Sequence, residues 1–337
     1  MLMEFYSFTQ LYFVCCFCLK SRWRWACEFS SHISMALLDE LLLKTSRTFA
    51  LAIPLLLEPT RKEVSLAYLF FRIADTFEDA EAWPRAKRLS ALGQLESVLE
   101  AQNPAERVLS FVPQWLSPLP SAHKGYQQLV EQAGEVVKAF ETLTPQAQVV
   151  IRRHVKRTCE GMREIVERAD EKGRFELSSL EDLKRYCYWV AGIVGELLTE
   201  LFLLTCPSLE ATKDKLKATE ILFGEGLQLV NILKDRSSDK EDGRSYLPKS
   251  IPLSQVFALA EADLLVAVEY VDALQEGKAN RGILAFVTFP LLLARASLKE
   301  LQKKGAGAKV SRLEVMSLLG KLNKALDQGK VLKTTLF

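Results

Sequence analysis

The sequence predicts an all-α protein, and three observations carry that expectation. From residue 35 onward apolar residues recur with the 3.6-residue period of amphipathic helices. Helix-start signals stand ahead of several of these runs. No stretch shows the two-residue alternation with β-branched enrichment that marks a strand. The bulk composition agrees with a globular chain: 337 residues, 49% hydrophobic and 26% charged, enough for one large domain or two ordinary ones. A net charge of only +2 suggests neither a nucleic-acid binder nor an acidic tail.

Residues 1–34 stand apart as an N-terminal extension. An apolar run from Phe8 to Leu19 is followed by Lys20, Arg22 and Arg24. It is shorter than the roughly 20 residues a membrane-spanning helix needs. A secretory signal would carry its charge before the apolar run. A weak anchor, a targeting segment and translated upstream sequence with the start at Met35 all fit, and the last is preferred because a clean amphipathic pattern opens at Met35. Four of the seven cysteines lie in this extension; Cys159, Cys187 and Cys206 show no disulfide-like spacing, which points to a reducing compartment.

In the remainder, helices are expected near 60–80, 86–100, 121–140, 145–169, 179–206, 209–236, 254–276, 281–304 and 311–328. Thr144-Pro145 supplies a capping hydroxyl before an N1 proline. Ser178 to Glu181 and Ser311 to Glu314 read as capping boxes. Breaks fall at Asn103-Pro104, Ser117 to Pro120, Gly243, Pro248 to Pro252 and Gly305 to Gly307.

Two of these helices carry a pattern that packing alone does not explain. Asp75 and Asp79 sit four apart in one apolar run, and Asp235 and Asp239 do so in another. Such pairs share a helix face about 6 Å apart. Like charges at that distance repel by about 3 kcal/mol at an effective dielectric of about 20. A cation would relieve both pairs, and oxygen-only ligands without His or Cys point to a hard ion, Mg²⁺. Because Mg²⁺ is commonly shared between one or two carboxylates and substrate phosphates, the expectation is two carboxylate walls facing a diphosphate.

Around these pairs stand further candidates. Arg47, in Ser46-Arg47-Thr48-Phe49, suits a diphosphate, although a solvated surface arginine fits the same spacing. Tyr68, Arg72 and Asp75 project to one side of their helix, where Arg72 is either a phosphate ligand or half of a helix salt bridge. Gly192 and Gly195 cost a helix about 1 kcal/mol each, which suggests close packing or a ligand lying against the backbone. Their aromatic and aliphatic neighbours from Tyr186 onward suit either a tunnel wall or plain core, and Glu196 among them has no evident partner. Gln228, Asn231, Asp235 and Asp239 form a polar row on an apolar helix, and Arg244 lies just beyond, placed to fold back over it.

Taken together, Ser46 to Phe49, Asp75-Thr76-Phe77-Glu78-Asp79, residues 186–195, residues 228–239 and Arg244 to Pro248 resemble, in order, the squalene/phytoene synthase family over about residues 37–325. The resemblance implies a single domain over 35–337 with the isoprenoid-synthase helical bundle around a central apolar cavity. It implies Mg²⁺ held by Asp75, Glu78, Asp79, Asn231, Asp235 and Asp239, and diphosphate bound by Ser46, Arg47, Phe49, Gln228, Asn231 and Arg244. Tyr68, Arg72 and Tyr186 take catalytic roles, with the two tyrosines assisting proton removal. Val190, Gly195, Phe286, Phe289 and Pro290 line the cavity used in a second step. Asp75 to Asp79, Val190 to Gly195 and Phe286 to Pro290 look more like squalene synthases than plant-type phytoene synthases. Lys234 departs from the arginine usual before the aspartate.

The implied reaction joins two farnesyl diphosphates head to head through presqualene diphosphate, with NADPH supplying hydride to give squalene. Without reductant the same site would give dehydrosqualene, or phytoene from C20 substrates. A non-catalytic scaffold relative would be expected to lose acidic residues, and all four aspartates are present. A terpene cyclase or chain elongator would show a DDxxD-type first motif. A monomer is expected, cytoplasmic because no apolar tail like that of eukaryotic squalene synthases is evident, with peripheral membrane association left open.

Overall fold

The computed structural model describes residues 35–46, 48–171, 173–241 and 243–337. Helix α1 covers residues 35–45, and α2 (Phe49–Ala52) runs into a 3₁₀ turn. Then follow α3 (Thr60–Glu78), α4 (Arg85–Glu100), α5 (Pro104–Trp115), α6 (Lys124–Glu131), α7 (Ala133–Glu141) and α8 (Pro145–Arg168). Next come α9 (Leu180–Cys187), a π turn (Tyr188–Gly192), α10 (Ile193–Thr205) and, after a 3₁₀ turn, α11 (Lys213–Glu241). The chain closes with α12 (Leu253–Glu276), α13 (Arg281–Lys304), α14 (Arg312–Asp327) and α15 (Leu332–Leu336). The protein is all-α, as its periodicity predicts.

The start signals explain where several helices begin. The Thr144 hydroxyl accepts from the Ala147 N–H at 3.2 Å, and that of Ser311 from the Glu314 N–H at 3.1 Å. The box expected at Ser178 to Glu181 is displaced by one residue. Ser179 caps α9, accepting from the Asp182 N–H at 3.1 Å, while Asp182 itself accepts from the Ser178 N–H at 3.0 Å and pairs with Arg168. The break expected at Asn103-Pro104 separates α4 from α5, a helix outside the expected set, with Pro104 in its first turn, where its missing N–H costs nothing. The single segment expected at 121–140 is two helices meeting at Gln132. A short parallel pair, β1 (Phe175–Glu176) with β2 (Arg244–Ser245), also escaped the sequence reading, since two residues carry no alternation.

The bundle wraps α3, α8, α10, α11 and α13 around an interior cavity, with a packed aromatic core outside it. There Phe70 meets Phe140 edge-on at 5.3 Å and Phe77 meets Trp115 at 4.8 Å. Two stretches, Leu180–Thr205 and Arg281–Lys304, are long and apolar enough to cross a membrane. Both are built into the fold, and 72% of the most apolar window of the second is buried.

The mid-helix glycines have a steric cause. A Cβ on Gly195 would stand 1.9 Å from the Glu220 carbonyl oxygen, and one on Gly224 would stand 2.0 Å from that of Ala191. The α10 and α11 backbones therefore touch without side chains between them, which is the close packing the sequence suggests. Gly195→Ala is expected to destabilise the protein by about 1–3 kcal/mol or more, because rigid backbone must move on both helices. Urea denaturation followed by circular dichroism measures this, and a midpoint equal to wild type would contradict the packing.

Candidate active site

The last two turns of α3 form one wall of a polar cleft. Arg72 pairs with Asp75 at 3.0 Å and donates to the Tyr68 hydroxyl at 3.3 Å. Tyr68 in turn donates to the Thr45 carbonyl at 3.0 Å, which ties α3 to α1. The three residues do share one side, and Arg72 makes the salt bridge that spacing allowed. Burial pushes the Asp75 carboxyl up to about 6, against the pull of Arg72 and reinforced by Asp79. Glu78 is pushed well above the ordinary carboxylate range, by burial first and then by Asp79 and Asp75. Crowding and burial thus both disfavour the charged forms of Asp75 and Glu78 on this wall.

The second wall is α11. Gln228, Asn231, Asp235 and Asp239 face the cleft. Lys234 donates to the Asn231 side-chain oxygen at 3.1 Å and pairs with Asp235 at 3.1 Å. Beyond α11, Gly243 takes a left-handed conformation (φ +79°), which turns the chain into β2. The β1–β2 pairing then holds Arg244 so that it returns to α3, forming an ion pair with Asp79 and a longer contact, 3.4 Å, with Glu81. Arg244 thus folds back as the sequence suggests.

The cleft encloses about 400 Å³ between Arg72, Asp75, Glu78 and Asp79 on one side and the α11 row on the other, with Tyr186, Arg244 and Tyr246 across its end. It adjoins an apolar cavity of about 210 Å³, and the two share Arg72, Asp75, Val190, Gln228 and Asn231. Phe49, Tyr68, Val190, Gly195, Phe286 and Pro290 are among the residues lining this cavity. Among the described residues no three carboxylate, His or Cys side chains converge into a ready-made metal site. The acidic residues of α3 and α11 line opposite sides of the same cleft.

Several sequence-derived assignments change here. The Ser46 hydroxyl accepts from the Phe49 N–H at 2.9 Å, and Ser46 lines neither the cleft nor the cavity. Phe49 lines the apolar cavity, not the polar cleft, with its ring 5.6 Å from that of Tyr68. Phe289 is fully buried in the core, whereas Phe286 and Pro290, four residues apart, share the cavity face. Arg47 lies outside the described residues. Glu196 gains a partner in Arg157 at 2.8 Å.

Sequence reasoning missed Tyr246, Thr158 and Met162. Tyr246 packs on Tyr186 with ring centroids 4.6 Å apart and closes the cleft. Its place between Arg244 and Pro248 was the available signal. Thr158 and Met162 bring α8 to the cavity, and nothing in the regular apolar period of that helix separates them from core.

Residues 42–265, more than half of the chain, match the squalene/phytoene synthase family. The chain belongs to that family. Among curated relatives, the squalene synthase of Schizosaccharomyces pombe is 30% identical over 215 residues, covering 63% of this chain and 44% of that enzyme. The squalene synthase of Eremothecium gossypii is 32% identical over 218 residues, covering 63% of this chain and 45% of that one. The matched region thus spans about half the length of these squalene/phytoene synthase family members. Two solved structures share the fold. The complex of TcSQS with the ligand E5700 has a TM-score of 0.69 at 21% identity, covering 88% of this chain and 90% of that one. A dehydrosqualene synthase in complex with ligand has a TM-score of 0.56 at 21% identity, covering 88% and 98%.

The paired tyrosines have a measurable signature. Burial raises the Tyr186 hydroxyl well above its ordinary range, with Tyr246 and Glu78 adding to the effect. Burial likewise raises Tyr246, with Glu78 and Asp79 adding. Both stay neutral where free tyrosine, with a pKa of about 10, ionises. In a spectrophotometric titration to about pH 11, replacing both with Phe is expected to leave the phenolate absorbance unchanged. Loss of signal in the double variant would contradict the assignment.

Proposed function

We propose that the protein is a squalene synthase-type prenyltransferase that condenses two farnesyl diphosphates head to head. The observation carrying this reading is the junction of two carboxylate walls with an apolar cavity: one end suits a diphosphate held through cations, the other its hydrocarbon tail. Family membership and the fold support it.

The donor set fits Mg²⁺, being made of oxygen and crowding the carboxyl groups of Asp75, Glu78 and Asp79 onto one wall. Asp75, Asp79, Asp235 and Asp239 would hold the ions, with Glu78 and Asn231 as further oxygen ligands. When bound, Mg²⁺ neutralises charge on the leaving diphosphate. Arg72 and Arg244, already poised over Asp75 and Asp79, orient the diphosphate oxygens and add fixed positive charge where negative charge develops. The neutral Tyr186 hydroxyl serves as a hydrogen-bond donor to the departing group. Its raised pKa argues against a phenolate base, which leaves the released diphosphate to take the proton lost on cyclopropane closure. Phe49, Val190, Phe286 and Pro290 keep water from the allylic cation, which would otherwise be quenched to alcohols. Loss of the remaining diphosphate from the cyclopropane intermediate, followed by hydride that NADPH would supply as second substrate, would end the sequence at squalene.

Asp79→Ala and Asp235→Ala are each expected to lower kcat by at least about a hundredfold while leaving helical circular dichroism nearly unchanged. Retained turnover in either variant would remove the metal assignment. The reaction itself is read from labelled C15 and C20 diphosphates with and without NADPH. Squalene from C15 substrate with NADPH is the expected product. Dehydrosqualene irrespective of NADPH, or phytoene from C20 substrate with no squalene from C15, would replace this reading with the non-reductive one.

A further inference from the structure

Next to the acidic cleft lies a second depression, of about 330 Å³, whose charge is the reverse. Arg236 and Lys240 enter it from the last turns of α11, Arg244 from β2, and Lys249 from the loop that follows. Against these four cations its lining holds one carboxylate, Asp239, on the rim shared with the cleft. Tyr246 also lines both spaces.

Ordinary structural duties account for part of this cluster only. Cations near a helix C-terminus interact favourably with its macrodipole, and Arg236 donates to the Leu233 carbonyl at 2.8 Å. Lys249 pairs with Glu176 at 2.7 Å, and Arg244 with Asp79. Yet among the described residues neither Arg236 nor Lys240 is paired with a carboxylate. Side chains four apart on a helix are neighbours, so these two cations repel one another. Bringing Arg244 and Lys249 against them from a separate segment adds repulsion that the helix end does not require. A concave group of guanidinium, ammonium and hydroxyl donors matches the oxygens of a phosphate.

We propose that this depression is a phosphate-binding subsite that works without a divalent ion. It differs in that respect from the neighbouring cleft, whose carboxylates repel a diphosphate unless metal stands between them. Arg244 and Tyr246 border both spaces, so a phosphate group can pass from one to the other without losing its last cation. The occupant is either the diphosphate released by the reaction or a phosphate of a nucleotide reductant. The biological role rests on the function proposed above, but the binding itself does not.

The test is calorimetric titration of the full chain in EDTA, with inorganic pyrophosphate in one arm and adenosine 2′,5′-bisphosphate in the other. At least one anion is expected to bind without metal. The Arg236→Ala/Lys240→Ala double variant should weaken that binding at least about tenfold, and Lys249→Ala, on an exposed loop, should weaken it about threefold. Tighter pyrophosphate binding identifies the leaving group as occupant; tighter bisphosphate binding identifies the nucleotide. Asp235→Ala should retain metal-free binding while losing turnover, which separates failure of this site from failure of the catalytic reading. Absence of binding by both anions, or unchanged affinity in the double and single variants, would overturn the proposal.

Discussion

The site depends on one steric constraint, the direct backbone contact between α11 and the segment formed by the π turn and α10. With the Glu220 carbonyl seated against Gly195 and the Ala191 carbonyl against Gly224, α11 has little freedom to roll about its axis. That rotation decides where the next turns of α11 point. Gln228 and Asn231 fall on the shared lining of cleft and cavity, and Asp235 and Asp239 continue the row past the mouth. A small rotation would carry the carboxylates away from α3 and leave the cavity intact but chemically inert.

Electrostatics then does what packing cannot. Asp75, Glu78 and Asp79 lie within two turns of α3, an arrangement that raises the proton affinity of the buried members. Arg72, Lys234 and Arg244 hold individual carboxylates in place but come from three different segments, so the cations are as dispersed as the acids. The result is a cleft whose carboxylates are oriented without being collapsed onto one another. The adjoining apolar space contributes shape and little charge.

Much of this was legible in the sequence because it rests on local periodicity. The acid pairs, the polar row on α11 and the cost of Gly195 can be read from residues within one or two turns. Capping hydroxyls marked the starts of α8 and α14 for the same reason. What escaped depends on contacts between distant segments. The stacking of Tyr246 on Tyr186 joins residues sixty positions apart, and the cavity role of Thr158 appears only once α8 is set beside α10. The local bond from the Phe49 N–H to the Ser46 hydroxyl was not legible either, since the motif alone does not show which groups that hydroxyl meets. Helix α5 was overlooked because proline both breaks helices and begins them, and the break at Asn103-Pro104 does both.

The π turn at Tyr188–Gly192 also sets a tension between local regularity and alignment at a distance. Such a bulge inserts one residue into the winding of an otherwise continuous helix. Rewinding the turn as regular α-helix with every residue kept would ease the segment itself. Everything downstream would then swing by about 100° around the axis, taking Gly195 off its neighbour. The irregular turn therefore acts as a phase offset between Tyr186 at one end and the glycine crossing at the other, kept at the expense of ideal local geometry.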